Sequence, residues 1–319
     1  MRVLITGATG TAGTHLSLLA LECGAKVYGL ARSNRFSPGV VACCGDVSNA
    51  RFVESVLRDV QPMWIFHLAA LIPSAAAEAS PEDYFQTNIA GTYHVLEAVR
   101  RCCPTTRVLI ASSSSVYGRS DWPDQPITED MPLRPQSLYA LTKTTQDLMG
   151  AQFYAEHGTD VVRVRTFNQI GPMEPRDQIG ALVARQIALI EAGRQEPVIR
   201  VKTLMPSRDF SDVRDVARGY WSALTSGQAG QVYNLCSGRA TTVAELIQLT
   251  LSLTALKNVE IVEGGPLPGP QDTLAQVGDA SRLKACSGWE PSFSLAASLS
   301  DLLAEYRAEI RATQKRQSA

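Results

Sequence analysis

Arg2-Val3-Leu4-Ile5-Thr6-Gly7-Ala8-Thr9-Gly10-Thr11-Ala12-Gly13 is the stretch whose reading decides the fold. Arg2 to Thr6 reads as a short apolar strand, and three glycines at three-residue spacing follow it. A helical pattern then runs from Thr14 to Cys23 with Leu16, Leu19 and Ala20 on one side. Strand, glycine turn and helix, in that order, form the context that a dinucleotide-binding fingerprint requires. Gly7 permits the tight turn, Gly10 lets backbone N–H groups approach a pyrophosphate, and Gly13 allows close helix–strand packing. The helix N-terminus adds its positive dipole end. Thr9, Thr11 and Ala12, interleaved with these glycines, belong to the same expected phosphate cradle.

The next strand, Lys26 to Leu30, runs into Ala31-Arg32-Ser33. An NAD site needs an acidic residue near here for the ribose 2′-hydroxyl. Ala31 cannot serve, whereas Arg32, helped by Arg35, suits a 2′-phosphate, so NADP(H) is the expected cofactor. Val40 to Cys44 is the third strand. Asp46 after it has two open roles, accepting from an adenine amino group or capping the helix Ala50 to Val60 ahead of Asn49. Met63 to Ala70 reads as a buried strand whose small residues allow close approach of a dinucleotide, with His67 a hydrogen-bonded structural residue rather than a general base. Pro81 marks a helix start, with Tyr84, Asn88, Ile89 and Val95 following at helical spacing.

A strand over Arg107 to Ala111 leads into Ser112-Ser113-Ser114-Ser115-Val116-Tyr117-Gly118. A polar, proline-rich loop over 119–135, of the kind that covers sites in α/β proteins, separates this run from a helix beginning at Ser137. That helix carries Tyr139 and Lys143, four residues apart and so on one face. A free phenol titrates at roughly 10, and a nearby ammonium favours the phenolate, making such a tyrosine a better acid–base group. Taken alone, the spacing describes a solvated pair equally well. Val161 to Thr166 is a further strand, ending in Phe167-Asn168-Gln169-Ile170-Gly171-Pro172.

Strand and helix alternate up to Gly171, with every motif at a strand's carboxyl end, which predicts an α/β protein with a doubly wound parallel sheet. Residues 1–171, with returning segments near 208–236, are expected to form the dinucleotide-binding domain, and most of 172–319 a smaller, discontinuous lobe. Within the second part Thr242 starts a helix with Leu246, Leu249 and Leu253 as its stripe, and a last amphipathic helix spans Ser294 to Arg311.

Thirty basic and thirty-one acidic side chains, without a block of either sign, argue against a nucleic-acid or membrane surface. No apolar run is long enough to span a bilayer, and the first residues read as a strand and turn rather than a signal peptide. The seven cysteines show no metal-ligand spacing, so no metal is expected. Their odd number points to reduced thiols in the cytoplasm.

With these pieces together the sequence resembles the extended short-chain dehydrogenase/reductases, the NAD-dependent epimerase/dehydratase family, over essentially its whole length. Gly7-x-x-Gly10-x-x-Gly13, Asp46-Val47, His67-Leu68-Ala69-Ala70, Asn88, the serine run, Tyr139-x-x-x-Lys143 and Arg208-Asp209-Phe210 occur in family order. The resemblance implies a Rossmann-type fold in which Tyr139 is the acid–base residue, Lys143 binds the nicotinamide ribose and lowers the Tyr139 pKa, and Ser113 is the catalytic hydroxyl. It implies that Asp46, Val47, Leu68, Ala69, Ala70 and Phe167 join the glycine turn and Arg32 around the cofactor. Within the family the chain looks most like the GDP-4-keto-6-deoxy-mannose reductases. The residues carrying that likeness include Thr166-Phe167-Asn168-x-Ile170-Gly171-Pro172, Ala184-Arg185-Gln186-Ile187 and Val232-Tyr233-Asn234-Leu235. By that likeness Ser74, Asn88, Ser114, Asn168, Arg185 and Arg208 face a nucleotide-sugar substrate, with Arg208 on its diphosphate. The helices around Thr92–Arg101 and Thr142–Tyr154 would form the interface of a homodimer.

The chain departs from those relatives at Gln169 in place of histidine, at Leu71-Ile72-Pro73-Ser74 in place of a polar loop, and at Gly269-Pro270 in place of Arg-Pro. Family dehydratases carry a carboxylate just after the catalytic serine or threonine. Here those positions are Ser114 and Ser115, whose hydroxyls ionise too weakly to act as acid and base in a dehydration. An epimerase would re-reduce its own ketone with retained NAD, which Ala31-Arg32 does not favour. A net NADPH-dependent ketoreductase is the expected activity. A nucleotide-sugar epimerase, or a cofactor-sensing protein on a catalytically dead fold, are the alternatives.

Overall fold

In the first strand, β1 (Arg2–Thr6), successive side chains point to opposite faces of a sheet. Val3 and Ile5 enter one hydrophobic core and Leu4 another, all three fully buried. A sheet buried on both faces must be covered by helices on both, and that requirement organises the rest of the chain. The computed structural model describes residues 1–73, 80–119, 125–265 and 275–317. Ser74, Gly269 and Pro270 lie outside the described residues.

After β1 come α1 (Thr11–Glu22), β2 (Lys26–Ala31), β3 (Val41–Cys44), α2 (Ala50–Val60) and β4 (Trp64–His67). Next are α3 (Pro81–Tyr84), a π-helical turn over Phe85–Ala90, α4 (Gly91–Cys102), β5 (Arg107–Ser113), α5 (Leu138–His157) and β6 (Val161–Thr166). The chain continues through β7 (Asn168–Ile170), α6 (Ile179–Glu191), β8 (Val198–Val201), β9 (Ser207–Asp212), α7 (Val213–Ser226) and β10 (Val232–Leu235). It ends with β11 (Ala240–Thr242), α8 (Val243–Ser252), β12 (Glu260–Glu263), β13 (Ala275–Gln276), α9 (Ser281–Ser287) and α10 (Leu295–Gln317).

Seven strands form the main sheet in the order β10-β6-β5-β4-β1-β2-β3, every pair parallel. From β1 the chain first builds outward through β2 and β3, then crosses to β4 and builds the other way. The carboxyl ends of β1 and β4 therefore flank the crevice where such sheets bind ligands. This is the doubly wound Rossmann arrangement expected from the strand–helix alternation. Helices α1, α7 and α9 cover one face and α2, α4 and α5 the other. A separate core, with Ile187, Ile199, Phe210, Leu246 and Leu302 among its members, joins α6, α8 and α10. The smaller strands β7, β9, β11 and β13 form a second sheet, and β8 pairs with β12.

Several boundaries differ from the sequence reading for local reasons. Helix α1 begins at Thr11 rather than Thr14, because the glycine turn winds directly into it, Thr14 N–H donating to the Gly10 carbonyl at 2.8 Å. Strand β4 stops at His67 rather than Ala70, since Ala69 N–H leaves the ladder to donate to the Thr6 hydroxyl at 3.2 Å. The helix expected from Pro81 does start there, under a Ser80–Asp83 capping box, but a π turn interrupts it before Gly91. Thr242 caps α8 reciprocally with Glu245.

The carboxyl half of α5 is anchored electrostatically. Asp147, completely buried, accepts from Arg165 Nε at 2.9 Å and Arg163 Nη1 at 2.9 Å, both on β6. Arg165 also donates to Tyr117 Oη (3.0 Å) and the Glu129 carbonyl (3.0 Å), and Tyr117 donates to Asn234 Oδ1 on β10 (2.7 Å). Removing one member of a buried ion pair leaves uncompensated charge, typically costing about 3–5 kcal/mol. Asp147→Asn is accordingly expected to lower unfolding stability by about that amount in denaturant titration, with the exposed Glu54–Arg58 pair as a near-silent control.

Candidate active site

The phosphate-binding turn is set by backbone packing. Gly7 has φ +72°, and a β-carbon on it would stand 2.9 Å from Ala69 N. One on Gly13 would stand 2.1 Å from the Gly7 carbonyl. No side chain fits at either position. No side chain caps the N-terminus of α1, so its first N–H groups face the crevice as donors for an anion. Bare glycine backbone, an open helix end and the exposed guanidinium of Arg32 just past β2 fit a dinucleotide carrying a 2′-phosphate. Thr9 and Ala12 are partly exposed at this turn, while the Thr11 hydroxyl is already spent on the Met173 carbonyl at 2.8 Å. Only the main chain of Thr11 is therefore left for a phosphate.

Asp46 lies at the expected strand end, where one of its carboxylate oxygens accepts from Ser48 N–H (2.9 Å). Asn49, not Asp46, caps α2, through Phe52 N–H. Val47 is buried against Gly91, and Leu68, Ala69 and Ala70 are partly exposed along the crevice opposite the glycine turn.

Ser113 is the last residue of β5, and Ser137 caps α5 so that Tyr139 and Lys143 fall on its first turns. The Tyr139 hydroxyl is hydrogen-bonded to Ser113, whose oxygen also accepts from Ser115 N–H (3.2 Å) and Ser115 Oγ (3.0 Å). Lys143 is buried and donates from Nζ to the Ala111 carbonyl at 2.6 Å. The three side chains read from sequence as a catalytic set thus meet at one strand end.

Their electrostatics depart from expectation. The Tyr139 phenol is pushed up to about 12, chiefly by burial, with the Ser113 hydrogen bond opposing and nearby Tyr84 adding. The Lys143 ammonium, one helical turn away, is engaged by the Ala111 carbonyl. Lys143 itself is lowered to about 7 by burial, with Asp147 opposing.

Three further assignments need correction. Asn88 is completely buried and cannot touch a substrate. Its amide clamps the main chain of Leu71 from both sides (2.7 and 3.1 Å) and donates to Thr142 Oγ1 at 2.9 Å, orienting the loop after β4 instead. The Ser114 hydroxyl is buried and donates to Gln276 Oε1 at 3.1 Å, so it faces β13 and not the crevice. The Phe167 ring packs with Val116, Tyr117, Ile127 and Cys236, leaving only its main chain near a cofactor. Arg208 is half-exposed on β9, with one guanidinium N–H on the Ser207 carbonyl at 2.9 Å. Asn168 is half-exposed where β7 begins, and Arg185 is exposed on α6. Gln169 is half-exposed beside Asn168, and Ile72 and Pro73 are exposed beyond the clamped Leu71.

Sequence reading missed Gln276, whose carboxamide holds both the hydroxyl and the carbonyl of Ser114 from 162 residues away, a pairing no local spacing signals. It gave His67 its structural role: the ring is buried, bonded to Thr6 Oγ1 (2.8 Å) and Thr92 Oγ1 (2.9 Å), and burial followed by the nearby Lys143 charge lowers it to about 3. Among the described residues no group of three histidine, cysteine or carboxylate side chains could hold a metal ion.

Comparison with known proteins agrees with this geometry. The family profile described as GDP-mannose 4,6 dehydratase matches residues 4–302. GDP-6-deoxy-D-mannose reductase from Pseudomonas aeruginosa is 29% identical over 97% of this chain and 98% of its own length. The structure of RMD from Pseudomonas aeruginosa complexed with NADPH superimposes with TM-score 0.84 at 29% identity, covering 97% of this chain and 99% of that one. UDP-glucose 4-epimerase from Streptomyces lividans is 28% identical over 94% of each chain.

The Lys143 environment has a measurable signature. Its amine binds a proton less readily in the fold, at about 7, than in the unfolded chain, at roughly 10.4. The resulting cost to stability is full below the folded value and disappears as pH rises toward the unfolded one. Lys143→Met is expected to be more stable than the wild type near pH 6, with the gap closing between about pH 7 and 10 in thermal unfolding scans.

Proposed function

We propose that this chain, which belongs to the GDP-mannose 4,6-dehydratase family, uses NADPH to reduce the C4 ketone of a nucleotide-linked 4-keto-6-deoxy hexose. GDP-4-keto-6-deoxy-mannose is the best-supported substrate, with GDP-6-deoxy-mannose or its C4 epimer as product. The observation that carries this reading is the Ser113–Tyr139–Lys143 cluster followed by two serines where a dehydratase would need a carboxylate. Both hydroxyls are also engaged, Ser114 with Gln276 and Ser115 with Ser113.

NADPH, when bound, supplies the hydride for C4. Tyr139 supplies the matching proton, its buried phenol keeping that proton until charge develops on the ketone oxygen. The Ser113 hydroxyl, already hydrogen-bonded to Tyr139, holds the ketone oxygen beside the phenol and stabilises the charge that develops on it. Lys143, when protonated, places a positive charge one helical turn from the tyrosine that must then carry a phenolate. Arg32 supports NADPH over NADH through its exposed position past β2. The glycine turn and the open end of α1 hold the pyrophosphate.

Likeness to UDP-sugar epimerases keeps epimerisation as a second reading. The two separate cleanly: a reductase oxidises one NADPH per sugar consumed, whereas an epimerase leaves its cofactor unchanged. The test is an NADPH-oxidation screen over GDP-, dTDP-, UDP- and CDP-4-keto-6-deoxy sugars with a Tyr139→Phe control. Turnover is expected with the GDP sugar, an NADPH preference over NADH that Arg32→Ala removes, and a loss of about a hundredfold or more in the control. Turnover with another base alone would transfer the assignment to that nucleotide.

A homodimer accompanies this reading. Tyr93 on α4 and Leu141 and Leu148 on α5 leave 46%, 45% and 53% of their surface exposed on two adjacent packed helices. Exposed apolar residues of this size on neighbouring helices mark an interaction face. Sedimentation velocity is expected to give a dimer for the wild type and a folded monomer for Leu141→Glu/Leu148→Glu. No helix among the described residues is long and apolar enough to cross a membrane, and seven free cysteines fit a reducing cytoplasm.

A further inference from the structure

Four fully or nearly fully buried polar side chains, Thr6, His67, Thr92 and Gln146, form one hydrogen-bonded chain across four separate elements. One end is the phosphate-binding turn: Thr6 immediately precedes Gly7, and its hydroxyl accepts from Ala69 N–H, the same backbone that closes over Gly7. The other end is the catalytic helix, where Gln146 lies one turn beyond Lys143. Between them stands the imidazole of His67.

The proton positions follow from counting. The Thr92 hydroxyl has a single proton, directed at the Asn88 carbonyl one turn back at 2.6 Å. It must therefore accept from both His67 Nε2 (2.9 Å) and Gln146 Nε2 (2.6 Å). His67 then carries its proton on Nε2, leaving the Nδ1 lone pair to accept from the Thr6 hydroxyl at 2.8 Å. A second ring proton would face the Thr6 oxygen, already an acceptor for Ala69 N–H, and would leave the Thr6 proton without a partner. It would also add charge beside Lys143, the charged group that acts on this ring.

We propose that His67 is a positioning residue, fixed as the neutral Nε2–H tautomer, that ties the phosphate-binding turn to the helix carrying Tyr139 and Lys143. The proposal rests on that cluster being the catalytic centre, and it adds a direction: the Nδ1 side serves cofactor binding and the Nε2 side serves the chemical step. Asn88 reinforces the second side, donating to Thr142, which donates in turn to the Tyr139 carbonyl at 2.9 Å.

Two substitutions separate the sides, because asparagine reproduces the Nδ1 acceptor and glutamine the Nε2 donor. His67→Asn is expected to keep its NADPH affinity, read by fluorescence titration, within about twofold while turnover falls about tenfold, the loss of one buried hydrogen bond. His67→Gln is expected to weaken NADPH about tenfold while turnover at saturation stays within about threefold. Equal losses in both quantities from both variants, in proportion to lowered melting temperature, would reduce His67 to a core residue and overturn the proposal.

Selective 15N-histidine labelling of the wild type gives a reading independent of turnover and of the variants' folding. One of the four rings is expected to show an unprotonated Nδ1, a protonated Nε2 and no titration between about pH 5 and 9. Assignment of that pattern to His67 supports the proposal; a titrating or Nδ1-protonated His67 refutes it. An inactive wild type with this NMR pattern and intact NADPH binding would instead count against the substrate assignment alone.

Discussion

Gly7 is enclosed by the start of α1 on its carbonyl side and by the segment after β4 on its Cα side, and the rest of the site takes its position from that packing. A β-carbon on Gly13 would press into this carbonyl, and one on Gly7 would press into Ala69. Helix α1, the end of β1 and the segment after β4 are therefore held at main-chain contact, with no side chain between them to yield. Close-packed interiors transmit such constraints rigidly. The crevice that results has helix donors on one wall and the Leu68–Ala70 backbone on the other.

The parallel sheet carries that constraint to the chemistry. Ser113 ends β5, which pairs directly with β4, while Tyr139 and Lys143 descend from α5 onto the same edge. Asp147 pins the far half of α5 to β6 through two arginines, so the helix cannot slide along its axis without breaking a buried ion cluster. The arrangement places a lysine in a strongly desolvated position, and its influence is divided. Its proton goes to Ala111, its field reaches His67, and the tyrosine keeps a raised pKa. The phenol therefore starts a reduction protonated and gives that proton up only once the ketone oxygen becomes the stronger base. The same set run as an oxidation would need the phenolate first.

What was legible in the sequence was whatever depends on neighbours along the chain. The spacing of Gly7, Gly10 and Gly13, the helix starts at Ser137 and Thr242, and the Tyr139–Lys143 interval are all local, and the structure has each of them. What was not legible depends on partners far away. Asn88 looked like a polar residue available to a ligand until the π turn carried it inward onto Leu71 and Thr142. Ser114 looked free until Gln276 arrived from β13. The lysine's own partner was hidden for a related reason: spacing reports that two groups share a helix face, not that the ammonium meets the Ala111 carbonyl.

The loop after β7 ties the phosphate-binding helix to α10. Pro172 and Met173 offer their carbonyls to His15 (3.2 Å) and Thr11 (2.8 Å) on α1, while Met173 N–H donates to Glu305 on α10 (2.9 Å). The phosphate-binding helix and α10 are thus bridged by the backbone of one loop, beside the contacts of α7 with β7 and β9. Within that loop Glu174 is buried, and desolvation raises its carboxyl to about 8 against three backbone donors. A neutral acid there lets the loop fold back on the start of α6 without burying a charge. The glycine turn and the Ser113–Tyr139–Lys143 cluster need not change when Gln169, Leu71 or Ile72 does, because none of these side chains belongs to the packing that holds the cofactor.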